Sequence, residues 1–342
     1  MTLEEFLDTW HSPSETLLVH TSGSTGTPKP MLVEKRRMLN SAKITCDFLG
    51  LKPGDAALLC MSLDYIAGKM MVVRSLERGL KLISVKPSGH PLSAESLKNA
   101  NDAAWKQGIT FAAMVPMQVY NTLQVPEERE RLTHIKHLII GGGAIDSALE
   151  AELRSLSGDI AIWSTYGMTE TLSHIALRRI NGKEASEWYQ PFDSVKVSQT
   201  EEGCLVIDAP LVCKQPLVTN DIVEIQPYIY NKVCAEGVRF RIKGRKDNVI
   251  CSGGIKIQIE EVENLLKPHL QKPFMLAKRK DEKFGEIAVL LTEDGDLKKV
   301  EATVRRLLSD NSKKYWIPRE YIHVESLPLT ETGKPKRACL LR

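Results

Sequence analysis

The chain has 342 residues, 42% of them hydrophobic and 26% charged, with a formal net charge of +3. That length accommodates two domains, and the balance is that of an ordinary globular protein. The charge is too mild for a nucleic-acid binder, and no apolar run reaches the ~18 residues of a membrane span, so neither nucleic acid nor membrane is expected as a partner.

In chain order, the apolar run Leu17-Leu18-Val19 reads as a buried strand and leads into Thr21-Ser22-Gly23-Ser24-Thr25-Gly26-Thr27-Pro28-Lys29. Its glycines permit tight turning and close approach of backbone to an anion, and its hydroxyls and N–H groups can nest phosphate oxygens. A Ser/Gly linker would look similar, but a linker has no reason to follow a strand and end in Pro-Lys. The Walker spacing is absent. Next come a helix at 40–49, a turn at Lys52-Pro53-Gly54-Asp55 and a strand at 56–61. A helix at 70–76, a strand at 80–85, a strand at 111–115 and a helix at 117–123 follow. The pattern continues with a strand at 137–140, a helix at 148–156 and a strand at 160–164. This alternation predicts a layered α/β domain with parallel strands, whose chain ends are where ligands bind.

Beyond about residue 195 the texture changes to short β segments at 195–197, 204–207, 222–226 and 240–243. After Gly244-Arg245-Lys246-Asp247, an acidic helix at 259–266 precedes strands at 274–278 and 287–291. A helix at 297–308, a strand at 321–324 and a basic tail complete a small α+β domain. The expected boundary separates residues 1–244 from 245–342. The start, Met1-Thr2-Leu3-Glu4-Glu5-Phe6, lacks the layout of a signal peptide. Seven dispersed cysteines, Cys46, Cys60, Cys204, Cys213, Cys234, Cys251 and Cys339, point to free thiols in a reducing cytoplasm. His134 and His137 have metal-like spacing but no third ligand nearby, and read as strand-entry residues.

Five further segments sharpen the loop hypothesis: Gly141-Gly142-Gly143-Ala144, Tyr166-Gly167-Met168-Thr169-Glu170-Thr171, Thr219-Asn220-Asp221, Gly244-Arg245-Lys246-Asp247-Asn248, and Pro328-Leu329-Thr330-Glu331-Thr332-Gly333-Lys334-Pro335-Lys336-Arg337. Taken singly each has a plainer reading: chain reversal for the glycines, an Asx turn for Asp221, solvation for a tail lysine. Their order and spacing resemble the adenylate-forming superfamily of acyl-CoA synthetases, luciferases and peptide-synthetase adenylation domains, over nearly the whole chain.

The resemblance implies a large α/β domain, a smaller mobile C-terminal lid, and a ligase using ATP, Mg2+ and CoA. It assigns the 21–29 loop (Thr21, Ser22, Gly23, Ser24, Thr25, Gly26, Thr27, Lys29) to phosphate. It places adenine on Gly141, Gly142, Gly143 and Ala144, walled by Tyr166 and Gly167. Thr169 is expected at the α-phosphate and Glu170 on Mg2+, which prefers few carboxylates plus substrate phosphates. Asp221 and Arg245 are expected at the ribose. Lys334 would bridge the acid's carboxylate and the α-phosphate, where a fixed ammonium offsets developing negative charge. After adenylation the lid would swing at Asp247 and bring Gly253 and Gly254 to the pantetheine path, so that CoA displaces AMP.

Three departures stand out. Pro30 replaces the usual glycine after the loop, Asn220 replaces the glycine of the ribose motif, and only 20 residues precede the loop, where the family has a whole subdomain. Asn tolerates positive φ and could hold the turn. The short flank leaves open a compact form, a missing portion and a homodimer.

For the acid, Tyr65 stands where many relatives have histidine. The segments 63–76 and 166–174 look most like o-succinylbenzoate–CoA ligases of menaquinone synthesis. Such an acid needs a cation or several hydrogen-bond donors for its second carboxylate. Arg74 could supply the cation, with hydrogen bonds from Ser173 and His174; a surface ion pair of Arg74 with Glu77 is an equal alternative. A CoA ligase for another aromatic or medium-chain acid, a module loading a phosphopantetheine carrier in trans, and a silent AMP-sensing relative are the competing readings. Joint retention of Lys334, Glu170 and Asp221 argues against the last.

Overall fold

The computed structural model describes residues 1–20, 30–101, 103–156, 160–230, 235–309, 313–329 and 337. It divides into two compact units, one comprising 1–197, 207–217 and 226–240, the other 198–206, 218–225 and 241–342.

The first unit is built on a seven-stranded sheet in the order Lys81–Ser84, Ala56–Leu59, Phe111–Met114, His137–Ile140, Ala161–Gly167, His174–Arg179, Gln190–Pro191. The first five strands are parallel, as the alternation of elements predicts. The inner strands are largely apolar on both faces, and Leu58, Phe111, Leu138 and Ile162 are fully buried. The last two strands, which the sequence did not announce, run antiparallel. The reason is local: Met168–Ser173 folds into a turn too short for a crossover helix, so the chain can only reverse.

Helix Lys35–Leu49 starts well before the expected Asn40, because its first turn is cationic and carries little of the apolar stripe. Helix Ile66–Arg78 likewise extends past both ends of its apolar segment. Each ends at a left-handed glycine, Gly50 and Gly79. The strand around Leu17 is half-buried rather than buried: Leu17 and Val19 are inside while Leu18 is 50% exposed, the period-2 alternation of an antiparallel pair. Its partner is Pro30–Glu34, with Leu18 opposite Leu32. Pro30 begins this edge strand, where a missing N–H costs nothing. A four-stranded sheet of Lys196–Gln199, Cys204–Asp208, Leu217–Tyr230 and Ala235–Arg245 contributes residues to both units, and its last two strands far exceed the short segments expected.

The second unit holds a five-stranded sheet, Ile255–Gln258, Val249–Ser252, Gly285–Thr292 and Phe274–Asp281 in order, with Glu320–His323 pairing parallel to Gly285–Thr292. Helices Ile259–Leu266 and Leu297–Leu307 bury Val262, Leu266, Val300 and Val304 on it, giving the α+β domain expected.

The five described cysteines Cys46, Cys60, Cys204, Cys213 and Cys251 are free thiols. Among the described residues no helix is long and apolar enough to cross a membrane.

Candidate active site

The phosphate-loop residues 21–29 and Lys334 lie outside the described residues. The other expected site residues fall into three places.

In the first unit, Gly141 follows a strand and donates its N–H to the Met114 carbonyl at 3.1 Å. A Cβ on it would lie 2.4 Å from Thr165 Oγ1, and Gly142 has φ +80°, so neither position tolerates a side chain. Tyr166 is 7% exposed and meets Phe240 edge-on at 5.1 Å and Tyr189 at 5.8 Å. Tyr189 and Phe240 were not foreseen, because they reach Tyr166 through the sheet rather than along the chain. Gly167 sits at a bulge, where a Cβ would fall 2.2 Å from the Ser173 carbonyl oxygen. Its bareness lets the Met168–Ser173 turn close.

That turn is strained. Leu172 has φ +65° and ψ −37°, and Ser173 N–H bonds the Thr171 carbonyl at 2.7 Å, the geometry of a rare γ-turn. The Thr171 hydroxyl ties it together, accepting from Met168 N–H at 2.9 Å and lying 2.7 Å from the Ser173 carbonyl. Thr171 belongs to the quoted motif but had no role from the sequence, and Leu172 had none either; positive φ at leucine leaves no sequence signal. The turn presents Thr169 on its inner side and Glu170 to solvent, while the Glu170 carbonyl accepts from Cys213 Sγ at 3.4 Å. Among the described residues the Glu170 carboxylate has no ion-pair partner, so its oxygens are available to a hard cation.

On leaving the turn, Ser173 and His174 meet Arg74. The Arg74 side chain is 2% exposed, and the ion pair with Glu77 does not form: Glu77 pairs with Arg78 at 3.3 Å. Arg74 Nη2 donates to Ser173 Oγ at 2.5 Å and Nη1 to the Met71 thioether at 3.8 Å. Its Nε has no partner, and no carboxylate pairs with it among the described residues. Burial pushes the guanidinium down to about 10. His174 is 7% exposed, with Nδ1 3.2 Å from Ser173 Oγ and Nε2 3.0 Å from Thr45 Oγ1. Burial, with the nearby Arg74 charge, holds its pKa well below the ordinary value, so the ring is neutral. Arg74, Ser173 and His174 are thus brought together, joined by Thr45. Tyr65 is not in this cluster's bonding; it is 47% exposed and precedes helix Ile66–Arg78.

In the second unit Arg245 bonds Asp221 at 3.1 Å and Asp247 at 3.0 Å, while Asn220 donates to Asp247 at 3.1 Å. The expected ribose residues and the expected hinge residue therefore share one network. Asn220 holds no left-handed turn: it lies inside strand Leu217–Tyr230, and extended backbone has no need of the glycine it replaces. Gly253 and Gly254, with φ +57° and +84°, form a two-residue hairpin turn between Val249–Ser252 and Ile255–Gln258.

The AMP-binding enzyme family matches residues 8–208. An acyl-CoA synthetase (AMP-forming)/AMP-acid ligase II-like protein of Dyadobacter fermentans is 32% identical, with TM-score 0.63, over 97% of this chain and 91% of that one. A 2-succinylbenzoate–CoA ligase of Bacillus mycoides is 23% identical over 97% of this chain and 71% of its own length. A plipastatin synthase polypeptide of Bacillus subtilis is 25% identical over 94% of this chain, which spans only 13% of that protein. The fold is also that of the o-succinylbenzoate coenzyme A synthetase of Bacillus subtilis solved with ATP and magnesium, at TM-score 0.71 and 20% identity over 94% and 69% of the two chains. This chain therefore belongs to the AMP-binding enzyme family, among its AMP-forming acyl-CoA synthetase and AMP-acid ligase II-like proteins.

Proposed function

We propose that the protein is an ATP-dependent carboxylate–CoA ligase working through an acyl-adenylate, and that its acid carries a second carboxylate, o-succinylbenzoate being the best match. One observation carries the choice of acid. Arg74 is a buried guanidinium with no carboxylate of the described residues to neutralise it, beside the turn that bears Thr169 and Glu170. An unpaired buried charge is costly, and a bound dianionic acid would remove that cost. The relatives named as 2-succinylbenzoate–CoA ligases support the same choice.

In this reading adenine lies on 141–144, Thr169 faces the α-phosphate, and Asp221 with Arg245 holds the ribose. Glu170 would hold Mg2+, whose contribution is to neutralise charge on the phosphate oxygens. Residues 1–244 would form the nucleotide-binding domain and 245–342 the lid. Lys334 stabilises the charge gathered as carboxylate attacks phosphate, and CoA enters past Gly253 and Gly254. Rotation about Asp247 exchanges bonds made by exposed groups: Asp247 is 52% and Arg245 39% exposed at the side chain, so their pair is worth little and is easily broken. A carrier-loading role in trans is the second reading, favoured by the similarity to a plipastatin synthase.

Pyrophosphate release over a panel of acids, with and without CoA, tests the assignment. AMP and a CoA thioester should form fastest from o-succinylbenzoate. Faster turnover of a monocarboxylate rejects the dicarboxylate, and acyl transfer only to a carrier protein favours the second reading. Lys334→Ala should slow adenylate formation ~100-fold or more and leave thioester formation from supplied adenylate nearly intact. Equal loss in both half-reactions removes that role.

A further inference from the structure

We propose that Thr45 and His174 are positioning residues for the acid, acting on Arg74 through a hydrogen-bond chain whose direction is set at every link; this rests on the reading of Arg74 as the carboxylate receptor. Thr45 lies on helix Lys35–Leu49, far in sequence from the turn, and nothing in the motifs points to it.

The directions follow from the two ends. Arg74 can only donate, so Ser173 Oγ accepts from it and must turn its own proton elsewhere. The neighbour available is His174 Nδ1 at 3.2 Å, which therefore is the bare, accepting nitrogen. The ring proton then sits on Nε2 and is donated to Thr45 Oγ1 at 3.0 Å. Thr45 in turn gives its proton to the Ser41 carbonyl at 3.1 Å. A backbone carbonyl is acceptor only, so the far end is as firmly set as the near one. Thr45 is fully buried, and the His174 ring packs on Phe192 at 5.6 Å.

The chain uses one strong bond to hold the guanidinium plane. It leaves Nε unpartnered among the described residues and Nη1 with only a thioether. Nη1 is the donor that a carboxylate would take, entering in place of Met71, whose unbranched side chain adapts readily. Without the Thr45 acceptor the imidazole loses its fixed tautomer, Ser173 loses its fixed hydroxyl direction, and Arg74 is free to rotate away.

The test compares o-succinylbenzoate with benzoylpropionate, which lacks the ring carboxylate. Thr45→Val should raise KM for the dicarboxylate about fivefold, the effect of one net hydrogen bond, and leave kcat, KM for ATP and KM for benzoylpropionate unchanged. Thr45→Ser should restore the wild-type KM. His174→Phe, which keeps an aromatic ring and removes both nitrogens, should raise KM for the dicarboxylate more than KM for benzoylpropionate and stands in should Thr45→Val not fold. In an Arg74→Ala background Thr45→Val should have no further effect on either acid. An equal rise for both acids, or an undiminished effect in the Arg74→Ala background, overturns the proposal. If Arg74→Ala discriminates the acids but neither Thr45→Val nor His174→Phe does, the positioning chain alone is rejected. If Arg74→Ala does not discriminate them, the dicarboxylate reading falls and takes the chain with it.

Discussion

Two arginines of the first unit, Arg74 and Arg178, are almost equally buried, at 2% and 8% exposure, and are provided for in opposite ways. Arg178 meets Glu150 through both terminal nitrogens at 2.8 Å, adds the Ser186 carbonyl at 3.1 Å, and lies over the Tyr189 ring at 5.6 Å. Glu150 is held down at about 2, chiefly by its hydrogen bond to Arg178. Arg74 has a serine hydroxyl and a thioether. A fold that needs a buried cation for its own stability supplies the counter-charge, as it does for Arg178. A cation left without one is better suited to an anion from outside. Motif reading could not separate the two, since both are arginines on apolar elements.

That contrast can be broken by substitution. The largest expected effect is on stability at Arg178: Arg178→Met removes the bidentate partner of Glu150, leaves it only Arg154 at 2.7 Å, and should cost about 2 kcal/mol, the scale of lost charge-assisted hydrogen bonds. The readout is the urea midpoint of the first unfolding transition, and an unchanged midpoint would mean that the pair is inert.

Next, Arg74→Ala should raise KM for the dicarboxylate at least about tenfold, because truncating one member of a desolvated pair costs ~2–5 kcal/mol, while KM for ATP barely moves. Equal effects on dicarboxylate and monocarboxylate would reject Arg74 as the receptor. Arg74→Met is expected to be neutral or stabilising by up to about 1 kcal/mol without substrate, the reverse of Arg178→Met, because it removes an unpaired buried charge. A loss as large as that at Arg178 would show that Arg74 is structural after all.

The smallest effect is in the pH profile, where the two regions should fail in different windows. His174 is depressed in the folded state, so below its ordinary value of 6.5 the unfolded chain binds a proton that the native state refuses, and stability falls as pH drops from there. His137, pushed down to about 4 mainly by burial, adds to the same limb. Glu150 contributes stability that is complete above its ordinary 4.5 and is lost as pH falls toward about 2. Urea midpoints between pH 7 and 3 should therefore lose part of the upper limb in His174→Phe and part of the lower limb in Glu150→Gln. If Glu150→Gln instead flattens the upper limb, the assignment of the two windows is wrong.

Much of the local backbone was legible because tight turns constrain residue type locally. The glycines at 141–143 and 253–254 and the Tyr166–Thr171 segment could be placed from their neighbours alone, and so could the strand–helix alternation of the first unit. Asn220 misled because a motif position was taken for a turn; the strand through Leu217–Tyr230 made the backbone extended, and no local residue pattern announces a strand of that length. The γ-turn at Leu172 was invisible for the opposite reason, since positive φ in a leucine is imposed by what surrounds it.

From residue order alone come the family and the layered α/β class, because these follow from short-range backbone needs and from spacing. The tertiary fold alone settles which arginine is paired and which is not. Arg74 lies 99 positions from Ser173, and Thr45 lies 129 from His174. A side chain's charge state and partners depend on such distant neighbours, through burial and directed hydrogen bonds that no stretch of sequence contains.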